Sequence, residues 1–213
     1  MTQVQTHGFQ FQNWVRKTFF EEFEDSYTEK WDVPAMFNTR SIVPKELRAL
    51  PVSVKTVKQG SPIAFGDAIR QFNINEEFVL IIGFWKQSGS AKNFVTVEAT
   101  KISVQTWRKL WNPLSLENLL ELDALIKGYQ MHYKTVREQA KAMKSSSPFN
   151  SAMMVLNPKV DSKNQRRLQC SLPFRTFWRE IAEKEPSETK KPTLFGKSVP
   201  NPFFAPPRTF KRL

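Results

Sequence analysis

Two periods of alternating hydrophobic and polar positions run through the chain, and each predicts a different kind of element. Residues 50–57 alternate with period two, so that Val52 and Val54 point to the same side, which predicts a half-buried strand. Residues 78–85 are apolar almost without interruption, as expected of a strand that is buried on both faces. Residues 94–102 alternate again and predict an edge or half-buried strand.

Helical spacing and shorter runs complete the predicted order of elements. Apolar residues on one face predict an amphipathic helix over residues 9–24 that covers a sheet. Ser115 is the predicted N-cap of a helix, with Asn118 at its third position. The remaining predictions are strands at 26–36, 152–156 and 165–172, and helices at 63–72, 104–111, 115–127, 133–144 and 174–183. This order predicts an α/β (α+β) fold in which helices flank a mixed central β-sheet.

The charge of the chain favours a polyanionic partner. Lys and Arg number 32 against 20 Asp and Glu, which gives a formal net charge of +12. A positive field of this size points to nucleic acid first and to an anionic membrane second. The simpler alternative is a basic protein with no such partner.

Scarce cysteine and histidine exclude several kinds of site. Cys170 is the single cysteine, so an internal disulfide and a cysteine-based zinc site are excluded. With only His7 and His132, a histidine-rich metal cluster and a serine-type triad are poorly supplied. Hydrolytic chemistry is therefore expected to use carboxylates, lysine and an oxygen-binding metal. No signal-peptide pattern or membrane-length apolar run occurs, so we expect a cytoplasmic protein without a membrane partner.

Asp32, Lys55 and a second acid form a candidate site for phosphodiester hydrolysis. Mg²⁺ prefers hard oxygen ligands and keeps several waters, so two acids are enough to hold it. A metal-activated water attacks the phosphorus, and a nearby ammonium stabilises the charge that develops there. Each residue also has a plain alternative role: Asp32 as a turn cap before Pro34, Lys55 as a solvated strand lysine, and Asp67 as a helix-surface acid.

The order helix, strand with Asp32, strand with Lys55, helix, strand resembles the PD-(D/E)XK nuclease core of type II restriction endonucleases. The position two before Lys55 is Ser53 rather than an acid, and Pro34 follows Asp32 instead of preceding it. A subgroup of these enzymes resembles the chain more closely, with Ser-x-Lys on the strand and the missing acid on the next helix, where this chain has Asp67. The resemblance covers residues 9–85.

The resemblance implies a restriction-endonuclease-like core and a specific set of roles. Asp32 and Asp67 would bind Mg²⁺, Lys55 would assist the attacking water, and Ser53 would complete the catalytic set. Other acids remain open as the second ligand: Glu21, Glu22, Glu24, Glu76 and Glu77. The substrate would be double-stranded DNA, and cutting both strands would call for a homodimer.

A second group of residues is suited to binding DNA. Arginine and glutamine can form bidentate hydrogen bonds to guanine and adenine, and in a strand Gln165, Arg167 and Gln169 share one face while Arg166 points to the other. Basic residues on the preceding helix are at the spacing expected for phosphate contacts. The predicted DNA-binding set is Lys134, Arg137, Lys141, Lys144, Lys163, Gln165, Arg166, Arg167 and Gln169.

These assignments divide the chain into parts with different roles. We predict one domain over residues 1–185, with a catalytic core at about 9–102 and a DNA-binding and recognition part at about 103–185. Residues 186–213 hold six prolines and six basic residues against the single acid Glu188, which predicts a basic, extended tail that is ordered where it docks. The alternative function is a non-catalytic, basic nucleic-acid-binding protein.

Overall fold

The computed structural model of the protein describes residues 3–22, 30–89, 91–162 and 164–204, the side chains of 3–9 and 203–204 excepted. Its helices are α1 (Gln3–Phe19), α2 (Ala68–Phe72), α3 (Val104–Trp111), α4 (Leu116–Ile126), α5 (Tyr133–Lys144) and α6 (Phe174–Glu180). Its strands are β1 (Val52–Lys58), β2 (Ile63–Asp67), β3 (Phe78–Ser88), β4 (Ala91–Ile102), β5 (Val155–Val160), β6 (Arg166–Leu172), β7 (Thr193–Leu194), β8 (Lys197–Ser198) and β9 (Phe203–Phe204). The chain is thus α+β, as the pattern of elements predicts.

The described residues cluster into two compact units. The first unit combines the described parts of Met1–Ser61, Glu77–Ile102 and Ala182–Leu213, and the second combines Pro62–Glu76 with Ser103–Ile181. The chain therefore leaves the first unit after β1 and returns to it at β3.

The first unit is built on a four-stranded mixed sheet in the order β1-β3-β4-β9. Strand β1 runs parallel to β3, while β4 runs antiparallel to both β3 and β9. Helix α1 supplies Phe11, Val15 and Phe19 to a core that includes Val52 and Val54 from β1. The predicted amphipathic helix over the sheet is therefore confirmed, although it ends at Phe19 rather than at residue 24.

Close packing between α1 and the sheet depends on a glycine in the central strand. The rings of Phe11 and Phe94 stack with their centroids 4.7 Å apart. A Cβ atom at Gly83 would collide with the ring of Phe94 and come within 2.9 Å of Phe11. Glycine in a strand interior commonly marks such a close approach, and here it lets α1 lie against β3 and β4.

Two predicted elements differ from the structure in kind, and the strand predicted at 152–156 is shifted to Val155–Val160. In the described part of the predicted strand at 26–36, pairing is reduced to one antiparallel bridge between Val33 and Val52. Pro34 explains the early end, because it has no N–H to donate and is followed by a 3₁₀ helix, Ala35–Phe37. The predicted helix at 63–72 is wrong in its first half, where Ile63–Asp67 form β2 and only Ala68–Phe72 are helical.

The second unit holds a three-stranded antiparallel sheet in the order β2-β6-β5. Helices α4 and α5 pack against this sheet. The predicted cap of α4 is confirmed: Ser115 Oγ accepts a hydrogen bond from Asn118 N at 3.2 Å, and Asn118 Oδ1 accepts one from Ser115 N at 3.0 Å. This reciprocal capping box fixes the start of α4.

The C-terminal residues up to 204 dock on the first unit. Leu194 and Val199 are buried in the core beneath α1. The Asn201 side chain hydrogen-bonds both the backbone N and the backbone O of Phe94, at 2.9 and 2.8 Å. The extended segment therefore becomes part of the first unit. Among the helices of the described residues, none has the length and apolar character needed to cross a membrane.

Candidate functional site

The carboxylate of Asp32 is the meeting point of four hydrogen-bond donors. Its Oδ2 accepts from the backbone N of Val54 at 2.6 Å, from Ser53 Oγ at 3.2 Å and from Lys55 Nζ at 3.3 Å. Its Oδ1 accepts from Gln12 Nε2 of α1 at 3.0 Å. The structure thus brings together Asp32, Ser53 and Lys55, three of the four residues that the sequence assigns to the catalytic set.

The local sequence explains why these groups converge. Val33 and Val52 exchange two backbone hydrogen bonds, at 3.1 and 2.8 Å, so Asp32 is held beside the start of β1. Along β1 the side chains alternate between the two faces of the sheet, with Val52 and Val54 buried against α1. Ser53 and Lys55 therefore share the opposite face, toward which the Asp32 carboxylate is directed.

Lys55 holds its ammonium between two oxygen atoms. Its Nζ lies 3.3 Å from Asp32 Oδ2 and 3.2 Å from the backbone O of Val54. Both side chains of the ion pair are 23% exposed, so solvent still reaches the site. A partly exposed ion pair contributes little to stability, about 1 kcal/mol at most. The ion pair matters for the site because it places a cation beside a carboxylate.

Asp67 has a separate local role in the second unit. It is the N-cap of α2, where its Oδ1 accepts a hydrogen bond from Arg70 N at 2.8 Å. It is paired with Gln169 across β2 and β6. Burial raises the pKa of the neighbouring Cys170 thiol, and the charge of Asp67 adds to that rise. Its assignment as the second metal ligand stays a prediction.

The other acids considered as the second ligand have varied surroundings. Glu21 accepts a hydrogen bond from the Thr39 hydroxyl, and Glu77 pairs with Lys101 at 3.0 Å. Glu22 and Glu76 are exposed, and Glu24 lies outside the described residues. In the part of the chain that the structure describes, no three His, Cys, Asp or Glu side chains are grouped closely enough to hold a metal ion.

The oxygen atoms around Asp32 fit a magnesium ion. Mg²⁺ is commonly held by one or two carboxylates together with waters and substrate phosphates. Asp32 supplies one carboxylate, and the Ser53 hydroxyl and Val54 carbonyl are neutral oxygens in the same cluster. The Lys55 ammonium donates to two of these oxygens, so one positive charge already stands beside them.

The predicted DNA-binding residues divide into exposed and internal groups. Lys134, Arg137 and Lys141 are exposed on α5, although Arg137 also donates from Nε and Nη2 to the backbone O of Val160, at 3.0 and 2.5 Å. Arg166 is only 6% exposed and donates to the carbonyls of Gly128 and Met131, at 2.7 and 3.0 Å. Arg166 is therefore an internal structural residue, and we leave it out of the proposed DNA surface.

The remaining predicted DNA contacts lie on or near β6. Arg167 is exposed and Gln169 is half-buried, and both alternate with the buried Arg166 and Leu168 as the strand period predicts. Gln165 is exposed immediately before β6, and Lys144 is half-buried at the end of α5. Lys163 lies outside the described residues.

Two contributors to the site around Asp32 are missed by sequence reasoning. Gln12 is one of several polar residues on α1, and its contact with Asp32 spans 20 positions of sequence. The backbone amide of Val54 carries no signal of its own, because every non-proline residue has the same donor. The only usable hint is that Gln12 follows Phe11, so it stands at the border of the buried face of α1.

Comparisons with protein-family models, with characterised proteins and with solved structures gave no match to this chain. The geometry around Asp32 and the exposed cations of the second unit are therefore the features that bear on function.

Proposed function

We propose that this protein is a Mg²⁺-dependent, sequence-specific double-stranded DNA endonuclease of the type II restriction kind, with a restriction-endonuclease-like core. One observation carries the proposal. Three consecutive residues of β1 direct a hydroxyl, a backbone amide and an ammonium onto a single carboxylate oxygen of Asp32. Such a carboxylate–lysine pair, partly open to solvent, suits the hydrolysis of a phosphodiester.

Each residue around Asp32 has a distinct role in this proposal. Asp32 holds the metal, and the assignment of Asp67 as a second acid comes from the resemblance alone. Mg²⁺, when bound, neutralises phosphate charge and lowers the pKa of water. Lys55 places its positive charge where negative charge develops on the phosphate, and Ser53 keeps the Asp32 carboxylate oriented.

The second unit is assigned to binding DNA. Lys134 and Lys141 on α5 and Arg167 on β6 are exposed cations, which suit contacts to backbone phosphates. Gln169 and Gln165 supply amides that can pair with the edge of adenine. A homodimer is part of the proposal, since a symmetric duplex site is cut on both strands by two copies of the active site.

Digestion of phage-length duplex DNA with Mg²⁺, beside an EDTA control, tests the proposal. Discrete fragments that require Mg²⁺ are expected. A smear would instead indicate a nonspecific nuclease and would contradict the restriction activity.

The Lys55→Ala variant tests the site itself, and it should abolish cleavage and retain DNA binding. Lys58→Ala is the matched control, because Lys58 is exposed at the end of the same strand and should be dispensable. Cleavage that survives Lys55→Ala would refute the site.

A non-catalytic nucleic-acid-binding protein is the second candidate. It is favoured by one feature: the described residues hold no group of three His, Cys, Asp or Glu side chains that could bind a metal ion, whereas exposed cations are plentiful on the second unit. This candidate predicts salt-sensitive binding that needs no Mg²⁺ and intact DNA after long incubation. Asp32→Asn separates the two, since it should stop a nuclease and leave a binding protein unchanged.

A further inference from the structure

Two cations face each other on the exposed side of the sheet in the second unit. Lys159 of β5 and Arg167 of β6 are direct cross-strand partners, and both are exposed. Residues on either side of them, such as Val160 and Leu168, are buried on the opposite face. Like charges directly opposite each other destabilise a strand pair, so this arrangement has a cost in the free protein.

Lys144 is a further cation of the second unit. Lys144 ends α5, the helix that packs against β5. Burial lowers the pKa of Lys144, and the nearby positive charge of Lys159 lowers it further. The strand register holds Lys159 and Arg167 directly opposite each other, and we refer to these two residues as the cation cluster.

Acids do not compensate the cation cluster. Within the described residues, no carboxylate forms an ion pair with Lys159 or with Arg167. Other lysines of the same unit do have such partners: Lys127 pairs with Asp123, and Lys109 pairs with Glu180. An anion supplied from outside would relieve the repulsion and restore the balance of charge.

The next row on the same sheet face carries amides on β5 and β6, and it continues to Asp67 on β2. Asn157 and Gln169 are cross-strand partners, and Asn157 Nδ2 donates to Ser171 Oγ at 2.8 Å. Amides of this kind can hydrogen-bond base edges, whereas clustered ammonium and guanidinium groups are suited to phosphate. Within the β5–β6 pair, one row of this sheet face therefore carries two positive charges and the next row carries two amides.

We propose that the cation cluster binds a backbone phosphate of duplex DNA and positions the protein without reading sequence. This inference rests on the proposed DNA-directed function, in which Arg167 is already a phosphate contact. It also adds Lys159, which the sequence-based DNA-binding set omits. Discrimination between bases is left to the amide row beside the cluster.

The salt dependence of DNA binding tests the cation cluster. The full-length protein is titrated onto two short duplexes of unrelated sequence, in EDTA to prevent cleavage, at about 50 to 200 mM NaCl. Lys159→Gln and Arg167→Gln should each weaken binding equally on both duplexes. Each should also reduce the slope of log affinity against log salt by about 1, the value of one lost phosphate contact.

Lys127→Gln is the matched control, because it removes the same charge from the same unit but from a lysine already paired with Asp123. Its salt slope should stay at the wild-type value. An unchanged slope in Lys159→Gln, an equal loss in Lys127→Gln, or a loss confined to one duplex would each overturn the inference. DNA binding without cleavage would remove the endonuclease and leave the cluster standing, whereas wild-type protein that binds no duplex would refute both.

Discussion

The backbone amide of Val54 donates to Asp32 Oδ2 at 2.6 Å, so the proposed catalytic carboxylate is tied to the main chain of β1. A hydrogen bond to a charged acceptor is stronger than a neutral one, and a backbone donor in a strand has no rotamers to lose. Asp32 therefore keeps its place when the Lys55 side chain is removed. Loss of cleavage in Lys55→Ala would thus report the lost ammonium rather than a displaced carboxylate.

Gln12 is expected to act as a positioning residue for Asp32. Gln12→Ala removes the one donor that the described residues supply to Oδ1, while Val54 and Ser53 continue to hold Oδ2. Hydrogen bonds to charged groups contribute about 1.5 to 3 kcal/mol, so kcat should fall at least about tenfold. The Mg²⁺ concentration that gives half-maximal cleavage should rise, because a less fixed carboxylate holds a metal less well.

Asn13→Ala is the control for Gln12, since Asn13 is the next residue of α1 and is exposed. The control should match the wild type in both rate and Mg²⁺ requirement. A merely structural role for Gln12 would lower the stability of the protein and leave the Mg²⁺ requirement unchanged. Cleavage assays over a Mg²⁺ titration, beside urea unfolding of each variant, separate these outcomes.

The grouping of Asp32, Ser53 and Lys55 could be predicted because it follows from strand geometry. Alternation along β1 puts Ser53 and Lys55 on one face, and pairing of the neighbouring segment with β1 brings Asp32 to that face. The contribution of Gln12 could not be predicted in this way. It depends on the angle at which α1 crosses the sheet, which the size of Gly83 and the stacking of Phe94 help to set.

The sequence assigns Arg166 to the DNA-binding set because it is an arginine, but its side chain is buried. Its guanidinium donates to the carbonyls of Gly128 and Met131, which follow α4, so it fastens that loop to β6. Arg166→Ala should lower the free energy of unfolding by about 2 to 4 kcal/mol, because buried carbonyls lose their charged donor. The neighbouring variant Arg167→Ala should change it by less than about 0.5 kcal/mol, since that side chain is exposed.

Urea unfolding of Arg166→Ala and Arg167→Ala, followed by circular dichroism, measures these free energies. DNA binding gives the complementary readout, in which Arg167→Ala is the impaired variant. Equal stability of the two variants would contradict the internal role of Arg166. Sequence alone identifies the alternation of these two arginines along β6, but not which of them faces the helices.

Local signals decide which elements are predictable. Helices α3 and α5 occupy the predicted ranges, since each has a continuous helical period and α3 begins at a Ser103 cap. In residues 63–72 the apolar residues are too few to distinguish the period of a helix from that of a strand. Ile63 and Phe65 are buried while Ala64 is exposed, and pairing with β6 makes this part a strand. Long-range pairing overrides local spacing there.

Cys170 should behave as a buried, protonated thiol. Its burial raises its pKa well above the usual value of 9.0, and the charge of Asp67 raises it further. The folded protein therefore keeps this proton at alkaline pH, whereas the unfolded chain releases it above about pH 9. Since the folded state then binds more protons than the unfolded state, stability should fall as the pH rises through that range.

Cys170→Ala provides the comparison, because it removes the titrating group from both states. Between about pH 8 and about pH 10, wild-type protein should lose roughly 1 kcal/mol more unfolding free energy than Cys170→Ala, as linkage requires. An aromatic disulfide reagent should label the native thiol slowly and the urea-unfolded thiol at once. Fast labelling of native protein, together with equal pH dependence of the two proteins, would contradict the burial of Cys170 in β6, the central strand between β2 and β5, and would place its thiol at the surface.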